Sequence, residues 1–206
     1  LESSDGLLQA ALAISAYFYP TLEASSVVER IEAIAAEIRQ RIRKPTTSSR
    51  MAHLHHVLFE EMGFRGNTDH YYDVRNSLIP DVLQTRMGIP ITLTLVYKAI
   101  ADRIGLHVEG LNSPGHFLAY VDMPDEKMIV DPFAGGRILT TPEAQELIQR
   151  VLGLVEVKDA YLLPMCSHRQ WIGRMLNNLI PILASTGRMH DADAMQNLQR
   201  LLMEGE

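Results

Sequence analysis

Three histidines stand within four positions, His53, His55 and His56, and Glu60 follows one helical turn later. On a helix His53, His56 and Glu60 fall at three- and four-residue steps and share a face. Two imidazoles and a carboxylate so placed could hold a divalent ion. A solvated helix face explains the same spacing, so the set is a weak candidate and no metal or other cofactor is expected. His55 turns with Met51, Leu58 and Met62 instead. The second reactive group is Cys166, the single cysteine, two residues before His168. A thiolate is a strong nucleophile, but a lone cysteine among apolar neighbours behaves as a small buried hydrophobe. Hydroxyls complete the inventory: Thr92 and Thr94 in the first turns of one helix, and Ser113 between Asn112 and Pro114. Each needs an adjacent base before it can attack a carbonyl. The competing roles are back-bonding to the helix for the threonines and a turn for Ser113.

The elements that must position these groups fall into two kinds. Up to about residue 65 the pattern is helical. Leu7 to Phe18 forms a short apolar helix closed by Pro20. Val27, Ile31, Ile34, Ala35, Ile38 and Ile42 make one stripe on a long amphipathic helix. A third helix runs from Thr47 to Met62, with Gly63 as its stop. The segment from Gly63 to Tyr72 is a polar loop. Asn76 or Ser77 is expected to cap a short helix through Thr85 that Gly88 ends. Pro90 opens the next, on which Leu93, Val96, Tyr97, Ile100 and Ile104 share a face until Gly105.

The period then changes. His107 to Leu111, His116 to Met123 and Met128 to Phe133 read as neighbouring antiparallel strands. A helix from Thr141 or Pro142 and a strand near Val155 and Tyr161 follow. Two helices close the chain, Trp171 to Thr186 and Asp191 to Met203, hinged at Gly187. That hairpin resembles one tetratricopeptide unit. The division expected is residues 1–165 as one α+β domain and 166–206 as the hairpin.

Composition narrows the function classes. The 206 residues suffice for one sizeable core. With 47% apolar and 21% charged residues, the chain has a globular balance. A formal net charge of −6 argues against nucleic-acid binding, which needs an excess of Lys and Arg. The basic stretch from Arg39 to Lys44 sits at a helix end, where cations suit the dipole. No apolar run is long enough for a membrane span, and nothing at the start reads as a signal peptide. The chain opens on Leu1, as an excised domain would. One cysteine rules out an internal disulfide and fits a reducing, cytoplasmic setting.

The middle of the chain carries a family resemblance. The phrases Gly88-Ile-Pro-Ile-Thr92, Pro114-Gly-His-Phe117 and Asp131-Pro-Phe133, in that order and spacing, are similar to the transglutaminase-like superfamily. The nearest likeness is to its SirB-type branch and to the related segment of an F-box protein. The resemblance implies a papain-like α+β core with leading helices and a trailing hairpin. Active members set a cysteine at the start of a buried helix, with a His and an Asp on two adjacent strands. Carried over, the His is His116, the Asp is Asp131, and the cysteine position falls at Pro90, counting from Gly88 or back from Gly105. If the strand register sets His116 opposite Phe133, Asp131 is its diagonal neighbour on the same face. A slip of one residue would separate them.

Proline offers no nucleophilic atom, so a non-catalytic module that binds a protein or peptide is the expected function. The alternative is a hydrolase or acyl-transfer enzyme in which His116 serves a substitute nucleophile, Thr92 first. Asn67, Tyr71, Tyr72, Asn76 and Arg86, with Asn112 and Ser113, are the residues expected to line a peptide site or hold its walls. No nucleic-acid or membrane partner is expected.

Overall fold

The computed structural model describes residues 3–123, 127–153 and 163–204. Three helices lead: α1 (Ser4–Phe18), α2 (Ala24–Arg41) and α3 (Thr47–His55). From His56 to Glu61 the third helix widens into a π-helical turn, where an unbroken α-helix was expected. Between β1 (Arg65–Gly66) and α4 (Ile79–Thr85) lies a 3₁₀ turn, Val74–Ser77. Next come β2 (Met87–Gly88), α5 (Pro90–Arg103), β3 (Val108–Leu111), β4 (Leu118–Asp122), β5 (Lys127–Asp131) and β6 (Arg137–Leu139). The chain ends in α6 (Thr141–Leu152), β7 (Met165–Cys166), α7 (His168–Ser185) and α8 (Met189–Glu204).

Helix α5 is the axle of the domain. Ile89 precedes it in extended backbone and Pro90 takes its first position, where a missing N–H costs nothing. Every residue from Pro90 to Ala101 is buried. The sequence marks one apolar face, but the structure covers the helix all round, with α1, α2, α4 and α7 packed about it together with β3 and β4. Ile91, Leu93, Leu95, Val96 and Ile100 are each at most 2% exposed. Burial of each is worth about 1.5–3 kcal/mol.

The main sheet runs in the order β6-β5-β4-β3-β7, antiparallel at every pairing. Gly110 on β3 is glycine for want of space: a Cβ there would lie 2.5 Å from the Trp171 ring and 2.8 Å from Phe117. Trp171, fully buried, donates from its indole to the Ile91 carbonyl at 3.3 Å and so locks α7 to the start of α5. A capping box of Ser167 and Gln170 starts α7 three residues before the expected Trp171.

The boundaries of α4 differ from the sequence reading as well. Neither Asn76 nor Ser77 caps α4; Leu78 stands there without a side-chain cap, because the 3₁₀ turn already directs the chain into the helix. Arg86 rather than Gly88 ends α4, in the left-handed region at φ 60°. Its guanidinium donates to the Met62 carbonyl at 2.9 Å. The strand expected near Val155 and Tyr161 lies outside the described residues. No helix among the described residues is long and apolar enough to cross a membrane.

Candidate functional site

The β4–β5 ladder pairs Ala119 with Val130 and Val121 with Met128. Continued three residues past Ala119, the same register sets His116 opposite Phe133, with Asp131 its diagonal neighbour. The side chains meet: His116 Nε2 lies 3.0 Å from Asp131 Oδ2, and both residues are buried. The other carboxylate oxygen, Oδ1, accepts the backbone N–H groups of Phe133 and Ala134 at 3.0 and 3.3 Å. A carboxylate only accepts, so Nε2 donates to it and Nδ1 is the nitrogen left for another group. Among the described residues Nδ1 has no hydrogen-bond partner.

The loop before His116 is held from α7. Arg174 Nη1 donates to Asn112 Oδ1 and to the Ser113 carbonyl, both at 2.6 Å, and Nη2 donates to the His116 carbonyl at 2.8 Å. The same guanidinium stacks over Phe117 at 5.4 Å. Burial pulls the Arg174 pKa below its ordinary value. Asn112 and Ser113, expected to face a ligand, are thus parts of the loop's own anchorage. The Ser113 hydroxyl is fully buried and has no hydrogen-bond partner among the described residues.

The opening of α5 is tied to this pair through glycine. The Gly66 N–H donates to the Phe133 carbonyl at 2.8 Å, and the next N–H, of Asn67, donates to the Gly88 carbonyl at 3.0 Å. A Cβ on Gly66 would lie 2.5 Å from the Phe133 ring, so only glycine lets the strands approach. Asn76, buried, continues the seam. Its Oδ1 accepts from Asn67 Nδ2 at 2.9 Å, and its Nδ2 donates to the His70 and Tyr71 carbonyls. Its carbonyl accepts the Thr92 hydroxyl at 2.6 Å. Thr92 also donates to the Ile89 carbonyl, and Thr94 to that of Pro90. The threonine hydroxyls therefore fasten the helix start, and neither is hydrogen-bonded to His116 among the described residues.

Aromatic rings lead from the surface to the imidazole. Tyr72, 76% exposed, meets Tyr71 edge-on at 5.3 Å; Tyr71 meets Phe133 at 6.0 Å, and Phe133 meets His116 at 5.9 Å. Beside the two tyrosines lies a cavity of about 440 Å³, with Ile89, the residue before Pro90, on one wall and Asn178 and Pro181 of α7 on the other. A second cavity, of about 740 Å³, shares the tyrosines and continues past Asp69 and Asp73 toward Phe18 and Tyr19.

Two candidates fall away. Both ring nitrogens of His56 face carboxylates, Glu60 at 2.7 Å and Glu61 at 3.0 Å. The π-helical turn brings in Glu61, which straight α-helical spacing would not place there. No group of three His, Cys, Asp or Glu able to hold a metal occurs among the described residues, so His53, His56 and Glu60 are not a ligand set. Cys166 is buried opposite Gly110, and burial pushes its thiol up to about 12. It is a thiol at neutral pH and packs as a hydrophobe.

Arg174 and the α7 wall are what sequence reasoning missed. The available signal was a cation in the middle of α7, beside the buried stripe of Trp171, Met175, Leu179 and Leu183.

Comparison with known proteins gives the same frame. The family model for the transglutaminase-like superfamily matches residues 25–177. A UPF0162 protein of Xylella fastidiosa is 34% identical over 187 residues, covering 88% of this chain and 66% of that protein. A UPF0162 protein of Pseudomonas aeruginosa is 30% identical over 204 residues, covering 99% of this chain and 74% of its own length. Human F-box only protein 21 is 31% identical over 161 residues, covering 71% of this chain and 23% of its own. The chain thus spans just under two-thirds of the Xylella protein. No solved structure matches.

Proposed function

The chain belongs to the transglutaminase-like superfamily, and we propose that within it this domain binds an extended protein segment and performs no acyl transfer. One observation carries the reading. The first position of α5, where the resemblance sets a nucleophile, holds a buried proline, while the neighbouring His116–Asp131 pair and the cavity beside Ile89 are fully built. A ring with no attacking atom cannot begin acyl transfer. A pair bonded through Nε2, with its acid fixed by two N–H groups, still orders the loop and strand that carry it. The other hydroxyls do not replace the missing group: Thr92 and Thr94 are spent on backbone carbonyls, and Ser113 is sealed from solvent.

The test restores what is missing. Purified protein offered peptide amides and esters is expected to give no turnover that His116→Ala abolishes. Pro90→Cys, made in a Cys166→Ala background, is expected to give a thiol that iodoacetamide labels quickly. A helix N-terminus and a nearby imidazole both favour the thiolate. Adding His116→Ala should slow that labelling about tenfold or more. His116-dependent turnover by the unmodified chain would overturn the binding reading. Equal labelling with and without His116 would detach the helix start from the imidazole.

A further inference from the structure

We propose that the groove between Tyr71–Tyr72 and α7 binds one extended polypeptide strand of about five residues, with an uncharged apolar side chain beside Ile89 and a lysine or arginine beside Asp69. The inference rests on the binding reading and specifies its ligand.

Length comes first. The two cavities share Tyr71 and Tyr72, and one wall of the pair runs along α7 and its following turn from Asn177 to Arg188. At roughly 1.5 Å per helical residue the part of that wall on α7, from Asn177 to Ser185, is about 12 Å long; with the turn that carries it on to Arg188 it matches about five extended residues at roughly 3.3 Å each.

Backbone chemistry comes second. Pro181 lies inside α7. It has no N–H, so the carbonyl of Asn177, four residues earlier, loses its usual helical donor. Asn177 and Pro181 line the same cavity. A proline there costs the helix about 3 kcal/mol or more, and the carbonyl it frees is left able to accept from a bound chain. The N–H groups of an extended peptide are the matching donors. Asn178 adds an amide with no bond to another described residue.

Charge comes third. No charged residue lines the cavity beside Ile89. The far cavity is also lined by His70 and has cations and anions, but both guanidinium groups are taken: Arg75 pairs with Asp73 at 2.6 Å, and Arg188 with Asp191 at 2.6 Å while stacking on Phe18. Asp81, behind it, accepts the Tyr19 hydroxyl. Asp69 has no cationic partner among the described residues. The unbalanced charge at that end is negative, and Tyr72 offers an exposed ring on which a cation can rest.

The experiment uses the whole chain and fluorescein-labelled five-residue peptides, leucine at one end and arginine at the other, joined by Ala-Ser-Ala and made in both directions. Fluorescence anisotropy is expected to show binding of one direction. It should weaken about fivefold when glutamate replaces the arginine, the span of an exposed ion pair. Asp69→Lys should reverse that preference. Pro181→Ala should weaken binding of the same probe while the protein unfolds at no lower urea concentration, which a purely structural proline would not do. Indifference to the probe's charge, or unchanged affinity in Pro181→Ala, would overturn the inference. Retention of a randomised peptide pool with no charge selection would leave the binding reading standing without it. Failure to retain the pool at all would remove both.

Discussion

Two shielded imidazoles in this domain have opposite partners. His116 sits at the end of a sheet and meets a carboxylate that two backbone N–H groups already hold. His55 sits on α3 and meets only a neutral hydroxyl, Tyr97 Oη, 3.0 Å from its Nε2. Two rings border it, Phe59 at 5.2 Å and Tyr97 at 5.7 Å, both edge-on, and the charge of Glu60 acts on it more weakly than burial does. Burial in that apolar setting drives the His55 pKa down to about 4 and raises that of Tyr97. One residue type thus serves two ends. Beside an anchored carboxylate the ring is half of a hydrogen-bonded pair that ties the ends of two strands together. Beside a hydroxyl it is a neutral wedge between α3 and α5, next to the point where α3 widens into its π-helical turn.

Removing the anchor of the first imidazole should have the largest effect. Asp131→Ala deletes the acceptor for three donors and strands the His116 ring in a buried site. A loss of about 3 kcal/mol is expected by urea denaturation at pH 7. Asp131→Asn, whose amide oxygen can still accept the Phe133 and Ala134 N–H groups, should lose less. The second imidazole is tested with pH. The unfolded chain protonates His55 near pH 6.5 and the folded chain only near 4. Between those values the unfolded state binds more protons, so stability rises with pH. The contribution is complete above about pH 6.5 and is lost as pH falls toward 4. Allowing for the residual exposure of the ring, it is on the order of 2 kcal/mol. His55→Gln should flatten the urea midpoint between pH 7 and pH 4.5 relative to the parent chain; an equal slope in both would mean that His55 is not the neutral wedge.

The two sites also differ in how far the sequence revealed them. Short apolar runs bounded by Gly, Pro and Asp gave β3, β4 and β5, and the two-residue side-chain period meant that His116 and Asp131 could meet only in a register that keeps them on one face. Pro90 was legible because proline belongs at a helix's first position. The His55–Tyr97 contact was not, since it joins two helices 42 residues apart and periodicity fixes a face without naming its partner. The π-helical turn escaped for a similar reason: the run from His56 to Glu61 carries no proline or glycine to mark it. Asn76 misled because a cap was the nearest use for an amide before a helix. Its actual bonds, to Asn67 and to the His70 and Tyr71 carbonyls, close a loop whose shape depends on contacts made elsewhere.

Arg174 sharpens the contrast at the smallest scale. It spans three acceptors on the loop before His116 with a planar fork that one ammonium cannot reproduce. Arg174→Lys keeps the charge and most of the apolar stem over Phe117 but loses that span, at a cost of about 1 kcal/mol. The more telling readout is local. If the guanidinium positions the His116 loop, the imidazole resonances of His116 should shift and broaden by NMR, while those of His55, held by α3 and Tyr97, stay in place. An Arg174 that acted only as packing for α7 would lower the urea midpoint and leave both imidazoles unchanged. The loop would then owe its shape to the His116–Asp131 bond, to the Asn112 N–H donating to the Pro164 carbonyl at 2.8 Å and to its own internal bond from His116 N–H to the Ser113 carbonyl.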